Sequence, residues 1–452
     1  MDRTLSTGRG AVAAPVQDSI TASDNLTVRT RTGVFTGVIE EDFLNTRIFK
    51  PVPFAEPPGY TSGLVGEATS EDRLYLAVWT PANATADSKP PVLFFMTGGA
   101  AHRRDNNYRV NIFGWPNARG LKEQNLSIMD QRAALEWVYE NIHHFGGDPY
   151  RIVQWGQSAG SQSTHFHSYA YYDKPLVQGY VMQPRTDLKS LGFSDYDQTN
   201  FTFVAKQLGC EFPQDAQAEL ECMRAVPFAR ISNFVGQYAD NGTEPALSFY
   251  VVPNEKLIFR DYPARSAAGN VAHRPAIISN CANEFFSLIT YPVNNLTAGP
   301  DPAAVLESDL TDWMCPTANS SLLRVQQGIP LYRYQNAGQY PNPNPFRRLG
   351  AYHASDLPMN FGTYPLQQYL GNSTAFEAGV SRTMQDHVFA FLQDPWKGPE
   401  GLGWYPVNST GGRVLRFGAD GGAVQKVDRM ETDGPCRGIG RDDQFPSGLA
   451  FD

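Results

Sequence analysis

The sequence predicts an α/β fold, a mostly parallel central sheet with helices on both faces. Three observations predict it. Short apolar runs such as VLFFM (Val92–Met96) and RIVQW (Arg151–Trp155) lack polar alternation, as expected of strands covered on both sides. Stretches with helical apolar spacing lie between such runs. Gly and Pro clusters punctuate the joins. The length, 452 residues, fits two domains or one large α/β domain with insertions.

The elements follow in order. Residues 1–32 are polar and aperiodic and read as a loosely ordered segment; MDRTLSTGRGAVAAPV has no apolar centre and does not read as a signal peptide. From Val34 to Phe54 short apolar runs alternate with turns, as in an antiparallel edge. Pro57-Pro58-Gly59 breaks the chain before the strand LYLAVW (Leu74–Trp79). VLFFM ends in Gly98-Gly99. A helix is predicted over IMDQRAALEWVYENIHHF, where Leu135, Val138, Ile142 and Phe145 keep helical spacing and Gly146-Gly147 ends it. RIVQW, GYVM (Gly179–Met182) and PAIIS (Pro275–Ser279) read as further buried strands. Val380, Met384, Val388 and Phe391 mark a late helix stopped at Pro395. The stretch of about 186–270 is more polar and helical and reads as an insertion over the sheet edge.

Composition excludes several roles. Lys+Arg number 37 and Asp+Glu 46, a net charge of −9, so the chain has no electrostatic footprint for nucleic acid. No apolar run approaches the ~18 residues of a membrane span. Nine N-x-S/T sequons, at Asn25, Asn83, Asn125, Asn200, Asn241, Asn295, Asn319, Asn372 and Asn408, exceed the ~3–4 that chance gives and point to a glycosylated, secreted or extracellular protein. Of five cysteines, Cys210 and Cys222 bound a short loop that a disulfide would staple. Cys315 with Cys436 is a further pairing, which would leave Cys281 free. No Cys/His spacing suits a metal. Oligomeric state is not legible.

The chemistry concentrates at strand–G-x-S-x-G–helix, Gly156-Gln157-Ser158-Ala159-Gly160. Such a turn presents a serine oxygen at the C-terminal end of a sheet, beside a helix N-terminus. His165 and His167, just beyond, read as packing on that helix, and His143-His144 as the end of the earlier one.

The run QNLSIMDQRAALEWVYENIHHFGGDPYRIVQWGQSAG resembles the signature block of the type-B carboxylesterases, the carboxylesterase/cholinesterase/fungal-lipase group of α/β-hydrolases. IFKPVPFAEPPG, TSEDRLYLAVWTP, the Cys210–Cys222 loop, NCANEF and GAYHASDLP match further blocks in family order, with the fungal members the nearer. The resemblance implies one α/β-hydrolase domain over 33–452. It also implies hydrolysis of a small-molecule carboxylic ester through an acyl-enzyme. Ser158 would be the nucleophile, Glu284 the acid and His353 the base, with the N–H groups of Gly99, Ala100 and Ala159 as oxyanion hole. No cofactor or metal is implied.

The sequence also departs from that pattern. Gly98-Gly99-Ala100-Ala101 runs directly into HRRDNNYR, where the family has an apolar strand. Either the sheet is one strand short or disrupted, or the chain is a shortened product. Arg73 stands at a family Cys position, Thr97 where His is usual, Ala100 for a third glycine, Phe285 for the Gly after the acid, and Gln183-Pro184-Arg185 where a Ser-Gly pair is common. These departures support an alternative, a catalytically impaired esterase-like relative acting as an interaction module or surviving as a truncated product.

Overall fold

The computed structural model describes residues 26–55, 74–99, 108–184, 186, 195–292, 294, 299–344 and 346–438. Its centre is a seven-stranded sheet built from β5 (Val92–Met96), β6 (Ile152–Gln157), β7 (Gly179–Gln183), β8 (Ala276–Cys281), β9 (Leu331–Asn336), β10 (Arg413–Phe417) and β11 (Val424–Asp428). The order is β11-β10-β9-β8-β7-β6-β5. β5 through β10 are parallel and β11 is antiparallel to β10. All residues of β6, β7, β8 and β9 are buried, as the apolar runs predict for the first three; β9, LYRYQN, carries buried Arg333, Gln335 and Asn336 and is not legible as an apolar run.

Alternation along the strands feeds two separate cores. Ile152, Tyr180, Met182, Ala276, Ile278 and Leu331 face one, together with Leu135, Val138, Ile142 and Phe145 of the predicted helix. That helix is α-helical over Leu126–Asn141 and tightens to a 3₁₀ turn over Ile142–Phe145, where Gly146 takes φ 96°. Val153, Trp155, Val181, Ile277, Tyr332 and Tyr334 face the other core, against Val380, Met384, Val388 and Phe391 of the helix Ala375–Gln393. Thr374 and Glu377 close that helix's N-terminus with a capping box.

The antiparallel edge divides in two. β1 (Thr27–Thr30), inside the 1–32 segment that the sequence reads as loosely ordered, pairs antiparallel with β2 (Gly33–Thr36) just beyond it. β3 (Thr46–Pro53) and β4 (Tyr75–Pro81) form a second two-stranded sheet, with a bulge between Phe49 and Val52. Among the described residues, neither sheet is hydrogen-bonded to β5, which ends the large sheet. The polar run that replaces the family's strand, 100–107, lies outside the described residues. Beyond it, Arg109 donates to both carboxylate oxygens of Asp130 at 2.6 and 2.7 Å, anchoring the returning chain to the helix Leu126–Asn141.

The helices Asn200–Gln207, Ala216–Ala225, Phe228–Asp240 and Tyr262–Ala267 fall in the predicted insertion. Phe201, Val204, Leu220, Ile231, Val235, Ile258 and Tyr262 share a core there. Disulfides join Cys210 to Cys222 and Cys315 to Cys436, and Cys281 is a buried free thiol. No helix among the described residues is long and apolar enough to cross a membrane.

Candidate active site

Ser158 follows β6 directly, at φ 57° and ψ −121°. A non-glycine residue in that region is strained and is held by its surroundings. Here the Ser158 N–H donates to the Gln183 carbonyl at 2.8 Å, and its own carbonyl accepts from the Gln162 N–H at 3.1 Å. The flanking glycines are required by space. A Cβ on Gly156 would lie 2.0 Å from the Gly160 carbonyl oxygen, and one on Gly160 would lie 2.1 Å from that of Met96. β5 and the helix Ala159–Ala170 therefore meet through backbone alone. The loop after β5 comes equally near: a Cβ on Gly98 would lie 2.7 Å from the Ser158 Cβ. Gly99 follows Gly98 in this loop and Ala159 opens the helix after the serine, whereas Ala100 lies outside the described residues.

Glu284 and His353 arrive from two loops 69 residues apart. Glu284 opens a short 3₁₀ turn three residues beyond β8 and is fully buried. Its Oε2 lies 2.8 Å from His353 Nδ1, and its Oε1 accepts the Cys281 N–H at 2.5 Å. A carboxylate on Nδ1 fixes the tautomer and directs the Nε2 lone pair outward. His353 Nε2 lies 3.2 Å from the side-chain Nε2 of Gln157, the residue before Ser158. Glu284 and His353 are thus in contact, and His353 reaches the serine turn. Among the described residues no hydrogen bond joins the Ser158 hydroxyl to the imidazole.

Several supporting groups carry no sequence signal of their own. Asn283 laces the two loops together: its N–H donates to the Ala351 carbonyl and its Oδ1 accepts the Ala351 N–H, both at 3.0 Å. The Trp313 ring packs 4.4 Å from the His353 ring, and Phe285 packs 4.7 Å from Trp313. Trp313 belongs to a π-helical turn, Asp309–Met314, a rare form frequent at functional sites. At the start of that turn, Asp309 Oδ1 accepts the Phe285 N–H at 2.9 Å. Gln183 lies beneath the serine, its Oε1 accepting from the Trp155 indole N–H at 2.6 Å.

Burial dominates the electrostatics. It pushes the Glu284 carboxyl well up; the Cys281 N–H opposes that shift and the nearby Asp356 adds to it. Burial likewise pushes Asp309 up to about 8 and raises Asp356 and the Cys281 thiol. Asp356 accepts from the Tyr334 hydroxyl at 3.0 Å. His165 and His167 are driven down by burial, His167 to about 3. Neutral and packed in their helix, they take no part in the site. The arrangement offers a strained serine at a helix N-terminus, an oriented imidazole and a buried acid.

The Carboxylesterase family model matches residues 105–314. The chain is similar to a chlorogenic acid esterase of Aspergillus niger, 33% identical over 86% of this chain and 87% of that protein. It is also similar to secreted lipase 5 of Gibberella zeae, 34% identical over 69% of this chain and 61% of that one. Among solved structures, a PNB esterase superposes with a TM-score of 0.73 at 19% identity, covering 92% of this chain and 99% of the other, a likeness of fold.

Proposed function

Given that this chain belongs to the carboxylesterase family and is a serine carboxylic ester hydrolase, we propose that it works through Ser158, His353 and Glu284 and an acyl-enzyme. Ser158 Oγ attacks the ester carbonyl while His353 Nε2 takes its proton. The tetrahedral oxyanion is held by the N–H groups of Gly99, Ala100 and Ala159, each worth ~3–4 kcal/mol at the transition state. His353 then protonates the departing alcohol. Water, deprotonated by the same nitrogen, attacks the acyl-serine and releases the carboxylic acid. Glu284 holds the Nδ1 proton and stabilises the imidazolium.

The observation that carries this reading is the 2.8 Å contact of Glu284 with His353, delivered beside a strained serine. The test is turnover of a short-chain p-nitrophenyl ester by wild type and Ser158→Ala. Loss of at least about 1,000-fold in the variant supports the assignment; unchanged turnover refutes it. Chlorogenic acid and a lipid ester belong in the same substrate panel, because one relative is named a chlorogenic acid esterase and the other a lipase.

One observation favours a second reading, a non-catalytic relative: among the described residues the large sheet ends at β5. Well-folded protein without turnover of any ester in the panel would select it. The family reading makes 33–452 one α/β-hydrolase domain with a helical insertion at about 186–270. The secreted relatives, the two disulfides and the exposed sequons support export as a glycoprotein.

A further inference from the structure

Gln157 is the last residue of β6 and is 6% exposed. Its side chain meets the one imidazole atom that the proposed chemistry uses. A neutral imidazole carries one N–H and one lone pair. With the proton on Nδ1, facing Glu284 Oε2 at 2.8 Å, the lone pair is on Nε2. The Gln157 amide nitrogen 3.2 Å away is then the donor to that lone pair. The same lone pair has to receive the Ser158 proton.

We propose that Gln157 is a positioning residue for the base: it holds the Nε2 lone pair of His353 in the resting enzyme and has to release it before Ser158 reacts. This inference rests on the triad reading above. An amide donor at Nε2 favours the neutral ring, because an imidazolium would set its own N–H against the amide N–H. Gln157 therefore restrains the imidazole twice, by competing with the serine and by opposing protonation. Among the described residues, the titratable groups facing the ring are Glu284 at Nδ1 and Asp356 three residues along, with Asp309 and Cys281 behind Glu284. Trp313, on the ring face, carries no charge. None of these groups is altered by replacing Gln157.

The test uses the full chain. The pH dependence of kcat/KM on p-nitrophenyl acetate is measured for wild type, Gln157→Leu and Gln157→Glu, with Ser158→Ala in parallel. Gln157→Leu removes the donor. Its acid-limb midpoint is expected to move up by about half to one pH unit and its plateau to rise up to about fivefold, the worth of one neutral hydrogen bond. Gln157→Glu sets a carboxylate against the imidazolium and is expected to move the midpoint up by more than about one unit. It is near-isosteric, so it keeps the test open if the leucine variant folds poorly. A packing role alone predicts a lower plateau with an unmoved midpoint. Unmoved midpoints in both variants, or a downward shift in Gln157→Leu, overturn the inference. If wild type is inactive or Ser158→Ala keeps its turnover, the triad reading fails instead.

Discussion

Asn283→Ala separates the geometry of the acid–base pair from general stability. Asn283 immediately precedes Glu284, and Ala351, its partner, lies two residues before His353. Both are buried, and the bond from the Ala351 N–H to Asn283 Oδ1 is 3.0 Å. The alanine variant keeps the backbone half of the pair and orphans the buried Ala351 N–H, at a cost of about 1–3 kcal/mol. Gly350 adds to the effect. It sits at φ 58° with room for a Cβ only 2.2 Å from Asn283 Oδ1, so the loop is moulded around that atom. Loops freed to slide by about an ångström lose up to ~100-fold in rate. The expected result is a 10- to 100-fold fall in kcat/KM, with a thermal midpoint only a few degrees lower. Asn283→Asp, which keeps an acceptor oxygen, retains most of the activity. The assay is p-nitrophenyl acetate turnover beside a thermal melt. Activity within about twofold of wild type despite a measured loss of stability would refute the idea that Asn283 registers the two loops.

Further consequences follow from the same geometry. Gly160→Ala drives a Cβ to 2.1 Å from the Met96 carbonyl oxygen and is expected to cost at least about 1–3 kcal/mol and most of the activity, read by denaturant titration and turnover. Gly379→Ala, in a helix with nothing within 4 Å, is expected to gain about 0.5–1 kcal/mol in the same titration. Asp309, raised to about 8, keeps a proton in the folded chain that the unfolded chain releases near pH 4. The folded state therefore binds more protons across that window, so stability falls as pH rises from about 4 towards about 8. Asp309→Asn should flatten this fall, and equal slopes for the two proteins would contradict it. Glycopeptide mapping of exported protein should find sugar at the exposed Asn83, Asn241, Asn372 or Asn408. Asn125 should be bare, because it is buried and exchanges hydrogen bonds with Val252 at 2.8 and 3.0 Å.

What was legible in the sequence is what is local. VLFFM and RIVQW read as covered strands because both faces of the sheet need apolar residues, and the cores on either side use them in alternation. Gly156 and Gly160 read as a tight turn, and the close approach of β5 explains them. Glu284 and His353 were found through motif blocks, since neither a lone glutamate nor a lone histidine has a period or spacing to betray it. Asn283, Trp313, Asp309 and Gln157 escaped for a related reason. Each acts on a partner from a distant part of the chain or across a π-helical turn, and no local pattern encodes such contacts. The Cys315–Cys436 bridge, 121 residues long, was one pairing among several until the fold brought its ends together. The polar run after Gly99 lies outside the described residues, among which the large sheet ends at β5.

The central claim is that an ester's acyl group rests on Ser158. Rapid quenching of the protein with a slowly deacylating ester, followed by peptide mass spectrometry, tests it directly. One acyl mass increment is expected on the peptide bearing Ser158, absent from Ser158→Ala and formed more slowly in Glu284→Gln. Turnover without that increment, or an increment on any other residue, would contradict it.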